Sequence, residues 1–185
     1  AYFTGLTGSF FVGLILIFPV VAIFAFLIEF LIIRPLYYRD HLDQVLATFG
    51  LILFFNEGVS MVFGRTPLFL NVPEVLSGAV RITEDFSYPL YRIAIIAVGA
   101  IVAVILWFII AWTKTGMRIR AGTTNPEIIR ALGVNIQALN SMIFVVGALY
   151  AGLAGAMSGP LTSVEVGMGE NLLILCFVCI VIGGI

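Results

Sequence analysis

Few side chains in this sequence are suited to catalysis or metal binding, and they lie far apart. The single histidine, His41, lies among charged residues, and Cys176 and Cys179 lie inside an apolar run. These three residues do not have the ligand spacing of a zinc site, and no base lies next to either cysteine in the sequence to activate it as a nucleophile. The GxxxxGK, HExxH and GxSxG motifs do not occur. We therefore predict no metal, no cofactor and no catalytic residue.

Polar residues inside apolar runs are a second group that could do chemistry. Glu29, Asn56 and Glu57 interrupt long apolar stretches, and an ionisable residue at the bilayer centre costs about 2.5–3.5 kcal/mol on insertion scales. Glu29 is near the end of its run and close to Arg34, so we expect it to have an interfacial or interhelical partner. Asn56 and Glu57 lie deeper, and either line a substrate path or pair with another subunit.

A third group lies in the polar segment GMRIRAGTTNPEIIRALGVNI, which contains the signals of a short helix. Asn125 is a suitable N-cap and Pro126 suits the first helical position. Glu127 favours the positive N-terminal end, and Gly133 can terminate the helix. These signals predict a helix of about two turns between Asn125 and Gly133.

The predicted short helix has an apolar ridge and a polar edge. Ile128, Ile129 and Leu132 form the ridge, whereas Glu127 and Arg130, three residues apart, form the edge. One interpretation is an interfacial helix that rests its ridge on lipid. The other is a helix that docks into a groove on a cytosolic protein. The residues alone favour the two equally.

Composition predicts the elements that hold these residues. Hydrophobic residues make up 62% of the 185 residues and charged residues 10%, against roughly 25% charged in a soluble domain. The formal net charge of -1 offers no basic surface for nucleic acid. A water-soluble fold is excluded, and we predict an all-α, polytopic membrane helix bundle in a single transmembrane domain.

Apolar runs of about 20 residues mark the membrane spans. They cover residues 9–33, 45–63, 93–112, 140–157 and 172–185. The last run is incomplete and the sequence starts without Met, so we expect a fragment of a longer protein. The fourth run and the residues just after it are rich in small residues, among them Gly152, Gly155 and Gly159. A small-residue face permits close helix packing or leaves room for a ligand.

Basic residues are divided unevenly between the two sides that alternating spans define. One side carries Arg34, Arg39, Lys114, Arg118, Arg120 and Arg130. The other side carries Arg65, Arg81 and Arg92. Because the side richer in Lys and Arg is cytoplasmic, we place the loop at 113–139 in the cytoplasm and Ala1 outside.

Several stretches resemble the branched-chain amino acid branch of ABC-importer permeases. EIIRALG, with Glu127 and Gly133 six residues apart, resembles the EAA loop of these importers, with Ile128 and Ile129 in place of alanines. EFLIIRPLYYRD is similar to the Arg-Pro-Leu segment of the branch. LDQVLATFGLILFFNE and GALYAGLAGAMSGPLTSVEVG are similar to two of its spans. The resemblance covers most of the chain from Glu29 onward and is strongest to the first of the two permease subunits.

This resemblance implies a permease subunit of a bacterial-type inner membrane. Such a subunit pairs with a second permease, two cytosolic ATPase subunits that hydrolyse ATP, and an extracytoplasmic binding protein that delivers Leu, Ile or Val. It implies that 113–139 is a cytoplasmic coupling loop. The ATPase-coupling residues would be Asn125, Pro126, Glu127, Ile128, Ile129, Arg130, Leu132 and Gly133.

The candidate substrate path in such a permease consists of Asn56, Glu57, Gly152, Gly155 and Gly159. Glu57 would meet the ammonium group of an amino acid there. Permeases for urea or short amides are similar, so these substrates stay an alternative. From another class, the alternatives are an autonomous channel or secondary transporter, which internal inverted repeats would favour, and a membrane-embedded enzyme.

Overall fold

A computed structural model describes residues 10–37, 39–70, 72–73, 76–83 and 86–183. The helices are α1 (Phe10–Ile28), continued by a π-helical segment (Glu29–Ile33), α2 (Arg34–Leu36), α3 (His41–Phe63), α4 (Leu90–Trp112), α5 (Lys114–Thr124), α6 (Pro126–Ala131), α7 (Ile136–Ser158) and α8 (Glu170–Gly183). Two strands, β1 (Ala79–Thr83) and β2 (Phe86–Pro89), precede α4. The ends of the predicted first and last spans, at residues 9 and 184–185, lie outside the described residues.

Four helical stretches are long and apolar enough to cross a membrane. They are Val12–Leu36, Leu42–Phe63, Leu90–Trp112 and Ile136–Ser158, and a shorter apolar helix covers Leu172–Gly183. Most of their apolar side chains are exposed in the isolated chain, as expected of helices surrounded by lipid or by other subunits. The predicted all-α, polytopic fold is confirmed.

Three of these helices begin before the apolar runs that predicted them. α3 starts at His41, α4 at Leu90 and α7 at Ile136, several residues ahead of the runs at 45, 93 and 140. At α7 the cause is a cap, since the Asn135 side chain accepts a hydrogen bond of 3.1 Å from the Ala138 amide. The apolar run therefore marks the hydrocarbon region, while the helix extends into the polar interface.

The helices α1 and α7 pack against each other as an antiparallel pair. Near one end, the Tyr91 hydroxyl donates a buried hydrogen bond of 2.8 Å to the Met157 carbonyl, and the Phe10 ring meets the Tyr91 ring edge-on. Further along, a Cβ at Gly152 would lie 3.2 Å from Val21. The small residue at 152 thus allows the two helices to approach closely.

The segment between α3 and α4 contains a strand pair, where the sequence predicts only a loop. β1 pairs with β2 in antiparallel register, with Val80 opposite Tyr88. Earlier in the segment, Leu68 and Val164 exchange backbone hydrogen bonds of 3.1 and 2.9 Å. These bonds join the α3–α4 connection to the α7–α8 connection, so both lie at the same end of the bundle.

Candidate functional site

The segment predicted to couple to a partner consists of two helices rather than one. α6, at Pro126–Ala131, lies within the predicted range, but α5 was not predicted. Thr113 caps α5, because its side chain accepts a hydrogen bond of 3.1 Å from the Gly116 amide. The signal was present in the sequence, as a Thr followed by a polar stretch after a long apolar helix.

A tight corner joins α4 to α5. Thr113 is the C-cap of α4 and the N-cap of α5, and its hydroxyl also donates to the Ile109 carbonyl. A Cβ built at Gly116 would lie 2.2 Å from the Ile110 carbonyl oxygen and 2.5 Å from that of Ile109. Only glycine fits at this position, because the obstructing atoms are backbone.

Gly133 terminates α6 as the sequence predicts for a helix C-terminus. Its φ is +81°, a left-handed conformation that favours glycine. The Gly133 amide donates to the Arg130 carbonyl at 2.9 Å, and the Val134 amide donates to the Ile129 carbonyl at 3.2 Å. This pair of bonds is the Schellman arrangement, which turns the chain towards α7.

The side chains of α6 and its C-terminal turn are largely available to a partner. Leu132 is 72% exposed, Glu127 and Arg130 are exposed, and Ile129 is half-buried. The side chains of Pro126 and Ile128 lie outside what the structure describes. At Leu132, the apolar ridge therefore stays exposed and is not packed against the described residues.

Two shallow clefts of about 300 and 320 Å³ flank the turn between α6 and α7. One is lined by Arg130 and residues 133–137. The other is lined by residues 133–135 and residues of α7, together with Thr115 and Arg118 of α5. Gly133, the residue after the exposed Leu132, lines both clefts, so the end of the bundle that carries α6 has concave surface close in sequence to an exposed apolar side chain.

Asn56 and Glu57 lie in a group of polar side chains at the opposite end of the bundle, which we call the Arg65 cluster. It consists of Asn56, Glu57, Ser60, Arg65 and Glu170. Arg65 Nη2 lies 3.4 Å from Glu57 Oε1, and Arg65 Nε donates to Ser60 Oγ at 3.0 Å. Asn56 Nδ2 donates to Glu170 Oε1. Arg65 and Glu170 were not predicted as site residues.

The three candidate path glycines, of which Gly152 and Gly155 lie on α7 and Gly159 is its C-cap, have different surroundings. Gly152 lies against Val21 of α1, and a Cβ at Gly159 would lie 2.9 Å from the Leu70 side chain and 3.4 Å from that of Val164. Gly155 has open space beside it. The close-packing interpretation therefore describes Gly152 and Gly159, whereas Gly155 faces space that the described residues do not fill.

Glu29, for which the sequence predicts an interfacial or interhelical partner, is fully buried. Its exposed fraction is 0%, and neither carboxylate oxygen has a hydrogen-bond partner among the described residues, nor does Nε of Arg34. The π-helical segment, closed by the bond from the Arg34 amide to the Glu29 carbonyl, was not predicted either. Burial, and secondly the charge of Glu29, raises the pKa of the nearby Tyr37 phenol.

Within the described residues, no group of three or more His, Cys, Asp or Glu side chains could hold a metal ion. The chemistry that the arrangement offers is recognition: an exposed coupling element at one end, and a mixed-charge cluster at the other.

Comparison with known proteins assigns the family. The whole chain, residues 1–185, matches the family described as branched-chain amino acid transport system, permease component. The probable branched-chain amino acid transport permease LivH of Methanocaldococcus jannaschii is 24% identical over 171 residues, covering 86% of this chain and 51% of that protein. The high-affinity LivH permease of Escherichia coli K12 is 27% identical over 158 residues, covering 83% and 50%.

A relative with a different cargo in its name also matches. The nucleoside ABC transporter permease NupC of Lactococcus lactis is 26% identical over 121 residues, covering 63% of this chain and 34% of that protein. The chain thus spans about half or less of the length of these curated relatives. No solved structure matches. The resemblance inferred from the sequence motifs is confirmed, and this chain belongs to the family of branched-chain amino acid transport system permease components.

Proposed function

We propose that this chain is part of the permease subunit of an ATP-binding-cassette importer for the branched-chain amino acids Leu, Ile and Val, located in the inner membrane. A second permease completes the translocation path, an extracytoplasmic binding protein delivers the substrate, and two cytosolic ATPase subunits supply the energy. The names of the LivH relatives support this cargo. The activity is proposed for the full-length protein, of which this chain covers about half the length of its relatives.

The observation that carries the proposal is that α6 ends in a defined turn with an exposed apolar side chain. It is a short helix with a defined C-terminal turn at Gly133, and Leu132 projects from that turn with 72% exposure. An apolar side chain in a polar turn suits a helix-in-groove contact better than solvent. We assign to α6 the contact with the ATPase subunit, through the residues from Asn125 to Gly133.

Coupling at α6 predicts that Leu132 anchors the ATPase. In a tagged, full-length complex extracted in detergent, we expect the ATPase subunit to copurify with the permease. Leu132→Asp should reduce the bound ATPase about tenfold, because a buried apolar anchor commonly contributes more than 1 kcal/mol to an interface. The control is Leu161→Asp, another exposed leucine that lies in the α7–α8 connection, and this variant should retain the ATPase. A wild-type complex without ATPase would contradict the proposal.

The orientation of the bundle follows from its two ends. The α3–α4 and α7–α8 connections meet at one end through Leu68 and Val164, and α5 and α6 lie at the other end of α4 and α7. The α5–α6 end carries the larger share of the basic residues, so we propose that it is cytoplasmic.

Two single cysteines test this orientation. Ser77→Cys in the α3–α4 connection should react with a membrane-impermeant thiol reagent added outside, because this connection is proposed to be extracytoplasmic. Thr123→Cys in α5 should react only after the membrane is permeabilised. Both measurements use a background in which Cys176 and Cys179 are replaced by serine. Labelling of both positions from outside would reverse or invalidate the proposed topology, and with it the cytoplasmic role of α6.

A further inference from the structure

The Arg65 cluster combines both signs of charge at the end of the bundle opposite α6. Arg65 follows the C-terminal residue of α3, Phe63, by two positions and folds back so that its guanidinium reaches Glu57 and Ser60 of that helix. Asn56 and Ser60 are four residues apart, so they share a helix face, and Asn56 extends the cluster to Glu170 at the start of α8. Two carboxylates, one guanidinium, an amide and a hydroxyl thus form one continuous polar edge.

The ion pair in this cluster is loose and accessible. The Glu57 and Arg65 side chains are 62% and 78% exposed, and their nearest N and O atoms are 3.4 Å apart, longer than the 2.7–2.9 Å typical of a tight charged hydrogen bond. Among the described residues, the Glu57 side chain has no other hydrogen-bond partner, and the Arg65 side chain has only Ser60 besides. An exposed pair of this kind contributes little to folding stability.

The depth of Glu57 argues against a lipid-facing position. It lies six residues before Phe63 in α3, which is about 9 Å along the helix axis at 1.5 Å per residue. A carboxylate and a guanidinium at that depth are unfavourable in contact with hydrocarbon. The side of α3 that bears them therefore faces a water-filled passage or an opening between subunits.

We propose that the Arg65 cluster is a binding site for a zwitterion, with Arg65 holding the α-carboxylate and Glu57 the α-ammonium of an amino acid. This inference rests on the proposed transport function and names the substrate class of the same path. An approaching zwitterion inserts into the loose pair and meets an opposite charge on each side. Ser60 holds Nε of Arg65, which orients the rest of the guanidinium. Asn56 and Glu170 lie at the edge of the site.

The inference separates the two cargo classes named by the relatives. A branched-chain amino acid carries a carboxylate and an ammonium, and it satisfies both Arg65 and Glu57. A nucleoside is uncharged at neutral pH and leaves the two charges unmatched. Complementarity of charge therefore favours the zwitterion, because a site built with charged groups rejects a ligand that leaves them unpaired.

The test is leucine uptake into proteoliposomes that contain the full-length complex with its ATPase and binding protein. Glu57→Gln and Arg65→Gln are each expected to lower the uptake rate about tenfold. Assembly and ATPase stimulation by the loaded binding protein should persist. Arg92→Gln and Glu165→Gln, exposed charges at the same end of the bundle, are the matched controls and should transport at the wild-type rate. Arg65→Lys keeps the charge but loses the Nε contact to Ser60, so its uptake should be intermediate.

A charge exchange separates recognition from a structural ion pair. The double variant Glu57→Arg with Arg65→Glu restores a pair between the two positions but reverses its direction. A binding site fixed by Ser60, Asn56 and Glu170 should stay defective, whereas a structural pair should recover wild-type uptake. The inference would be overturned if the double variant recovered wild-type uptake or if both glutamine variants transported leucine at the wild-type rate. It would also be overturned if both the Gln and Lys variants failed to assemble, or if the complex transported uridine in place of leucine. A wild-type complex that transports neither solute would instead overturn the proposed function.

Discussion

Replacing Gly116 with alanine is expected to prevent the corner between α4 and α5 from forming. The new methyl group would lie 2.2 Å from the Ile110 carbonyl oxygen and 2.5 Å from that of Ile109, and backbone atoms cannot move aside as a flexible side chain can. Overpacking typically costs about 1–3 kcal/mol, sometimes more, and we expect the upper end here. The measurements are the yield of the detergent-solubilised protein in size-exclusion chromatography and its melting temperature, taken from the loss of the eluting peak after heating.

The matched control is Gly122→Ala on the same helix. A Cβ at Gly122 meets only Cδ2 of Leu139, at 3.5 Å, an ordinary van der Waals contact. Alanine is favoured over glycine inside a helix by about 0.8–1 kcal/mol, so this variant should be as stable as the wild type or slightly more stable. Equal melting temperatures for the Gly116 variant and the wild type would show that the corner is not constrained as described.

Substituting leucine for Gly133 is expected to abolish most transport while leaving the protein inserted in the membrane. The φ of +81° costs a side-chain-bearing residue about 1–2 kcal/mol, although a Cβ there meets no atom within 4 Å. The chain can relieve this strain by changing the turn that sets α6 relative to α7. If α6 is the coupling helix, uptake should fall about tenfold and ATP hydrolysis should no longer respond to substrate.

Gly133→Asn separates backbone strain from loss of glycine itself. Asparagine tolerates the left-handed conformation better than other residues with side chains, so this variant should retain most of the uptake. Arg130→Glu, which reverses the charge at the polar edge of α6 without changing the turn, should uncouple uptake from hydrolysis as Gly133→Leu does. Normal uptake and substrate-stimulated hydrolysis in both Gly133→Leu and Arg130→Glu would reject α6 as the coupling element.

The features that the sequence determined by itself are those with local causes. Long apolar runs predicted membrane-spanning helices because a helix needs about 20 apolar residues to cross the bilayer. The position of α6 followed from Pro126 at its start and Gly133 after its end, since capping acts over one or two turns. The short helix α5 was not predicted because its residues are mostly polar and lie outside the apolar runs, although Thr113 signalled its start.

Other features depend on how each helix is rotated about its axis, which is set by packing in three dimensions. The spans are apolar on nearly every side, so their sequences carry little information about which side meets which neighbour. Gly152 and Gly155 belong to the same small-residue stretch, yet Gly152 lies against α1 and Gly155 faces open space. Glu29 is likewise buried because of how the helices pack and because it lies in the π-helical segment. Its position near the end of an apolar run does not specify this burial.

The Arg65 cluster shows the same division at the candidate site. The sequence identified Asn56 and Glu57 because polar residues in an apolar helix are conspicuous. Their partners were decided by the fold: Arg65 folds back over eight positions to Glu57, and Glu170 reaches Asn56 across 114 positions of the chain. Contacts between distant residues form only when helices and connections are placed in three dimensions, and no local pattern in the sequence specifies that placement.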